Sequence, residues 1–271
     1  MKKYIFLFLV LCVAAGFAAA DDEGIGLSVG LEFGIGIVDE DVSPYLMPMI
    51  IYENSFLDET LDLYAELDYT LGFTKEPNED GDEVNPQSMY IDLMVGYNLG
   101  LGDASTLSFI LENEFDEIVF SPVSMLRGIF TPAVKFNHEL DFGSLYAQIG
   151  LPITYYDIED LDSTTGLDFT LGWSSTFGLG IEAKICTLLS PGDDAGYSGF
   201  EATISYEAES IYAEVEIIIP KEIDFEGITI TPEFDYSFKN FTFYIKCEFA
   251  GIGVDGSSIS VTPALGIKYS F

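Results

Sequence analysis

The sequence predicts an all-β fold of antiparallel strands with two unlike faces, the arrangement a closed barrel provides. Three observations carry this expectation. Apolar residues alternate with small or polar ones at period two along most of the 271 residues, and that is the spacing at which successive side chains of a strand point to opposite sides. Beyond the first twenty residues no stretch approaches the roughly 20 consecutive apolar residues of a membrane-crossing helix. The chain is 48% hydrophobic and 14% aromatic yet carries a net charge of −36, so apolar and acidic residues must be separated, and alternation separates them by face.

The start of the chain is of another kind. Lys2 and Lys3 precede the apolar run Tyr4 to Ala15, and Ala18, Ala19 and Ala20 precede Asp21 and Asp22. This reads as a secretory signal peptide over residues 1–20 with an A-x-A cleavage site at Ala18 and Ala20. Residues 21–271 then form one domain. Its 46 acidic residues face only 10 Lys and Arg, two of which leave with the leader, and this balance excludes nucleic acid as a partner, because a phosphate backbone needs basic contacts. Of the three cysteines only Cys186 and Cys247 survive cleavage. Local alternation puts them on opposite faces, so both read as isolated thiols.

Taken in order, Gly24 to Val38 sets Leu27, Val29, Leu31, Phe33, Ile35 and Ile37 against Ser28, Glu32 and glycines. A second strand is expected over Pro44 to Tyr52 and a third over Leu61 to Thr74, where Asp62, Glu66 and Asp68 share one face. The polar loop Lys75 to Ser88 leads to a fourth strand with Ile91, Leu93, Val95, Tyr97 and Leu99 opposite Asp92. A fifth spans Thr106 to Asp116, with Glu112 and Glu114 on the polar side. A sixth, carrying Lys135, runs to Leu140 after an irregular Glu117 to Leu126, and a seventh covers Leu145 to Tyr156.

Two runs are about twice as long as the 9 to 11 residues a membrane strand needs. Leu167 to Ile185 alternates without a break, and Phe200 to Ile219 alternates with one slip near Glu209 and Ser210. As single strands they give a total of twelve, the count expected here; as hairpins, the first turning at Ser174 to Thr176, they give fourteen. Three strands remain: Gly227 to Phe238, Phe241 to Val254 and Ser258 to Phe271. Pro44, Pro132, Pro232 and Pro263 read as marks of strand starts, because proline cannot donate to a ladder, while Pro48 and Pro152 are expected at bulges.

The last stretch, Ser258 to Phe271 (SISVTPALGIKYSF), places Ile259, Val261, Leu265, Ile267, Tyr269 and Phe271 on one face. It resembles the C-terminal strand of bacterial outer-membrane β-barrel proteins. That resemblance implies a transmembrane β-barrel in the bacterial outer membrane, with outer-membrane lipid around it and the barrel-assembly machinery reading Tyr269 and Phe271 as the assembly signal. It further implies a periplasmic N-terminus, short periplasmic turns and longer outer loops such as Lys75 to Ser88.

The faces opposite the apolar ones carry the candidate functional residues: Glu66, Asp68, Asp92, Glu112, Glu114, Lys135, Glu216, Asp235 and Glu248. Many like charges in a confined space concentrate cations, so the expected activity is a porin-like diffusion channel with an acidic lumen, passing small cationic solutes or ions. The alternative is a surface-display or adhesin barrel with a closed lumen and acidic outer loops. Enzymatic outer-membrane barrels resemble the chain in architecture alone. Their chemistry needs a histidine, and the single His138 alternates with Phe136 and Leu140 on the apolar side. No catalytic residue, cofactor or metal site is expected. Glu76 to Gln87 has Gly81 at the sixth place of a calcium loop, but it starts with Glu, ends with Gln and departs from that pattern.

Overall fold

The structure, a computed structural model, describes residues 26–38, 41–57, 60–78, 81–121, 125–156, 163–189, 196–222, 227–254 and 258–271. The expected leader, with Ala18 and Ala20, lies outside the described residues. The strands in chain order are β1 (Leu27–Val38), β2 (Asp41–Phe56), β3 (Leu61–Gly72), β4 (Glu76–Pro77), β5 (Glu83–Val84), β6 (Gln87–Gly100), β7 (Ser105–Ser121) and β8 (Met125–Leu140). They continue as β9 (Gly143–Gly150), β10 (Ile153–Tyr156), β11 (Thr164–Ser175), β12 (Leu179–Leu188), β13 (Gly196–Ala208), β14 (Ile211–Pro220), β15 (Ile228–Phe238), β16 (Phe241–Ile252) and β17 (Ser260–Ser270).

The β4–β5 pair forms a small hairpin of its own inside the polar loop. All other strands belong to one antiparallel sheet in which chain neighbours pair. The sheet closes where β1 meets β17, from Ser28 opposite Ser270 to Ile37 opposite Val261, and the Phe271 N–H donates to the Leu27 carbonyl at 2.9 Å. Closure leaves no row of unpaired backbone groups, so every wall strand finds its hydrogen bonds on both sides.

The barrel has fourteen wall strands, not the expected twelve, because β9 and β10 are two parts of one strand in a fifteen-member sheet. Both long runs are hairpins. The first turns at Thr176 to Gly178, and its pairs match odd with odd and even with even, as in Trp173 opposite Ile181. A loop with an odd number of residues keeps the parity of the outer face, so alternation passes through the turn unmarked. The second turns at Glu209 and Ser210, with Ala208 opposite Ile211. A two-residue loop moves the outer face from even positions (Ile204, Tyr206) to odd ones (Ile211, Val215), and that change is the slip visible in the sequence. Fourteen strands about 4.8 Å apart and tilted by about 40° give a backbone radius of about 14 Å.

Three further expectations change. Most of the stretch expected to be irregular is strand: β7 runs to Ser121 and β8 starts at Met125, with a register shift between Glu114 and Glu117, while 122–124 lie outside the described residues. Pro152 is not at a bulge. Gly150 faces Ala133 and Ile153 faces Phe130, so the register crosses Leu151 and Pro152 without a slip. Proline simply lacks the N–H, while its carbonyl still accepts from Gly166 N at 2.8 Å. Pro48 likewise stays in register opposite Leu31. The other four prolines lie inside strands rather than at their first residues, opposite Ile35, Leu111, Val215 and Cys247.

One rim carries the tight turns at 57–60, 101–104, 141–142, 176–178, 209–210 and 239–240, together with Leu27 and Phe271. The other carries the β4–β5 hairpin. Among the described residues the register shifts of the wall, at Gln87/Ser88, Met89/Ile91, Glu114/Glu117, Cys186/Thr187 and Ile228/Ile230, lie toward that second rim. Bulges add twist and bend the strand that carries them, so the wall is regular at one end and irregular at the other.

Candidate functional site on the inner face

The two faces of the wall are chemically unlike. Large apolar side chains stand exposed on the outside, Ile245 at 58% and Leu265 at 61% among them, on nearly every wall strand. All nine candidate residues stand on the opposite face: Glu66 and Asp68 on β3, Asp92 on β6, Glu112 and Glu114 on β7, Lys135 on β8, Glu216 on β14, Asp235 on β15 and Glu248 on β16. Period-two alternation in a paired strand is the local cause.

The structure gathers the inner residues into three neighbourhoods. Around the closure, Glu32 on β1 is only 1% exposed. Its carboxylate accepts from the Tyr45 hydroxyl at 2.8 Å and the Tyr244 hydroxyl at 3.0 Å, and pairs with Lys246 Nζ at 2.8 Å. Lys268 Nζ lies 4.8 Å from the centre of the Tyr244 ring. Met49, also buried, accepts from the Tyr244 hydroxyl at its sulfur at 3.9 Å. The tyrosine rings lie flat because each crosses a directly opposed glycine: Tyr45 over Gly34, Tyr244 over Gly266 and, farther round, Tyr146 over Gly172. A Cβ on any of these glycines would meet the ring at 2.2 Å.

Across β7 to β13 lies the second neighbourhood, around an inner cavity of about 510 Å³. Glu112, Glu114 and Lys135 line it; the other six candidates do not. Lys184 reaches Glu201 at 3.0 Å and Asp168 at 3.4 Å, and the Cys186 thiol donates to Glu201 at 3.4 Å. Lys135 sits over the Tyr146 ring at 4.0 Å. The third neighbourhood is acidic. Register sets Glu66 directly opposite Asp92, and Asp92 directly opposite Glu114, across β3, β6 and β7. Tyr64 donates to Glu66, and Tyr212 donates to Glu214 in the same two-residue relation on β14.

Sequence reasoning missed Glu32 as the most enclosed carboxylate and the tyrosines as its partners. The residues were visible on the right face, but strand register decides which of them meet, and register depends on turns the alternation does not show. The remaining expectations fall into place around the wall. Tyr269 packs against Phe271 and Phe241, with ring centres 5.0 and 4.9 Å apart, at the tight-turn rim. His138 accepts or donates at Nδ1 with Ser105 Oγ at 2.9 Å and stacks on Phe136 on the outer face, beside an apolar surface groove of about 770 Å³ that also takes in Trp173. Cys186 and Cys247 are free thiols. Among the described residues no group of three or more His, Cys, Asp or Glu side chains converges on a metal position.

The chain is a closed antiparallel β-barrel. Among solved structures it is similar to a triple mutant of the Rhodopseudomonas blastica porin, at 11% identity over 90% of this chain and 99% of that one, with a TM-score of 0.44. It is also similar to the KdgM porin, at 9% identity over 89% of this chain and 99% of that one, with a TM-score of 0.42. No family model matches the chain, and no curated protein sequence matches it.

Proposed function

We propose that the protein is an outer-membrane β-barrel that acts as a porin-like diffusion channel, with an acidic lumen that prefers cations. One observation carries this reading: the ladder closes on itself with its apolar side chains outward and its carboxylates inward. Only helices and closed barrels satisfy their backbone groups within lipid, and an outside of Leu, Ile, Val and Phe suits a hydrocarbon surrounding. Lipid and the barrel-assembly machinery are then the partners of the outer face and of the Tyr269 and Phe271 end. Small cations are the partners of the inner one. No enzymatic role is proposed, since the sole histidine stands on the outer face against Phe136.

A second reading, a surface-display barrel with a closed lumen, is favoured by one specific observation: the enclosure of Glu32 by Tyr45, Met49, Tyr244 and Lys246 fills part of the interior. Solute uptake separates the two. Proteoliposomes should admit a small cationic amine severalfold faster than an anionic solute of the same size. Replacing Glu66, Asp68, Glu112 and Glu114 together by their amides should narrow that ratio. Exclusion of both solutes would overturn the channel reading, and an unchanged ratio in the amide variant would take those four residues off the path.

A further inference from the structure

The acidic row of β3, β6 and β7 has features that a merely wet wall does not require. Its three carboxylates follow one another directly opposite, Glu66, Asp92, Glu114, one strand spacing of about 4.8 Å apart. Like charges directly opposite destabilise a sheet, so the arrangement costs the empty barrel stability. The row is bounded at both ends by apolar side chains facing inward, Ile51 opposite Glu66 and Ile129 opposite Glu114. Asp92 at its centre is only 9% exposed, and its Oδ1 is buried without a hydrogen-bond partner. The described ion pairs of Lys184 and Lys246 go to Asp168, Glu201 and Glu32, not to Glu66 or Asp92. Tyr64 and Tyr90 stand two residues from Glu66 and Asp92 along their strands, on opposite sides of the row.

These features select among cations. A divalent metal needs several oxygens converging on one point, and no such group exists among the described residues. A chain of ammonium groups separated by short methylene runs needs what the row has: carboxylates at regular intervals, apolar side chains at its two ends, and aromatic rings beside it for cation–π attraction. The Glu114 end opens on the inner cavity of about 510 Å³, which supplies the entrance. We propose that the row Glu66, Asp92, Glu114 is a binding site for a linear polyamine, held across the strands with its ammonium groups on the carboxylates and its two ends toward Ile51 and Ile129. This rests on the reading of the interior as a cation path.

Spermidine tests it, with magnesium ion and butylamine as comparisons. Added to channels in a planar bilayer, spermidine should reduce the current at a concentration about tenfold or more below that of magnesium, since each charge-assisted contact is worth about a factor of ten. Glu66→Gln with Asp92→Asn should raise the half-blocking concentration of spermidine by about tenfold or more, whereas Glu233→Gln, outside the row, should not. Should the double variant fail to insert, Asp92→Asn alone carries the comparison. Equal potency of spermidine and magnesium, or an unmoved block in the variant, would overturn the proposal while leaving the channel standing. If the barrel passes no current, equilibrium dialysis of labelled spermidine against detergent-solubilised protein decides the matter: retention lost in the double variant supports the site, and no retention overturns it.

Discussion

Glu32 shows how a single inner residue can fix the closure of the wall. It joins β1 to β2 through Tyr45 and, across β17, to β16 through Tyr244 and Lys246, so its carboxylate braces the strands on both sides of the seam. A buried charge deprived of its partner is costly, whereas removing both partners together is often near neutral. Lys246→Met should therefore destabilise the barrel by about 2 kcal/mol, less than for a fully buried pair because Lys246 is partly solvated. Adding Glu32→Gln to that variant should recover most of the loss. Urea unfolding of the four members of this cycle in detergent reads both effects, and additive losses would remove the bracing role. The sequence placed Glu32 on the polar face of its strand but gave no means of pairing it with a residue more than two hundred positions away. Only the β1–β17–β16 register does so.

At the scale of the strand, alternation located nearly every wall element, and what it concealed follows from parity. The Thr176 to Gly178 loop has an odd number of residues and leaves the outer face on odd positions, from Leu171 before it to Ile181 after it. Gly178 is the sign that the sequence did hold. Its φ of +94° is a conformation side-chain-bearing residues rarely adopt, and a Cβ there would lie 1.8 Å from the Glu207 carbonyl oxygen. Prolines misled in the same way, because a closed ladder tolerates a missing donor without changing register, as Pro152 does beside Gly166. A cysteine scan separates the two counts. In a Cys186→Ser, Cys247→Ser background, Thr176→Cys should react readily with a charged, membrane-impermeant thiol reagent in reconstituted barrels, since the turn stands at the rim. Protection equal to that of Phe169→Cys in mid-wall would restore a single straight strand there and contradict the count of fourteen.

Considered whole, the molecule divides its interior. In front of the closure Glu32, Met49 and Tyr244 are buried, while across β7 to β13 lies a cavity lined by Glu112, Glu114, Asp168, Glu182, Lys135 and Lys184. Two of the nine residues singled out by alternation, Glu112 and Glu114, bring negative charge to that cavity. Others, such as Glu216, Asp235 and Glu248, face inward without lining it, because facing inward is a property of a strand and lining a cavity is a property of the whole assembly. The measurement closest to the proposed function is the reversal potential of the reconstituted protein in a planar bilayer under a potassium chloride gradient. It should lie displaced toward the potassium equilibrium potential; a displacement toward chloride, or an absence of current, would contradict the cation channel.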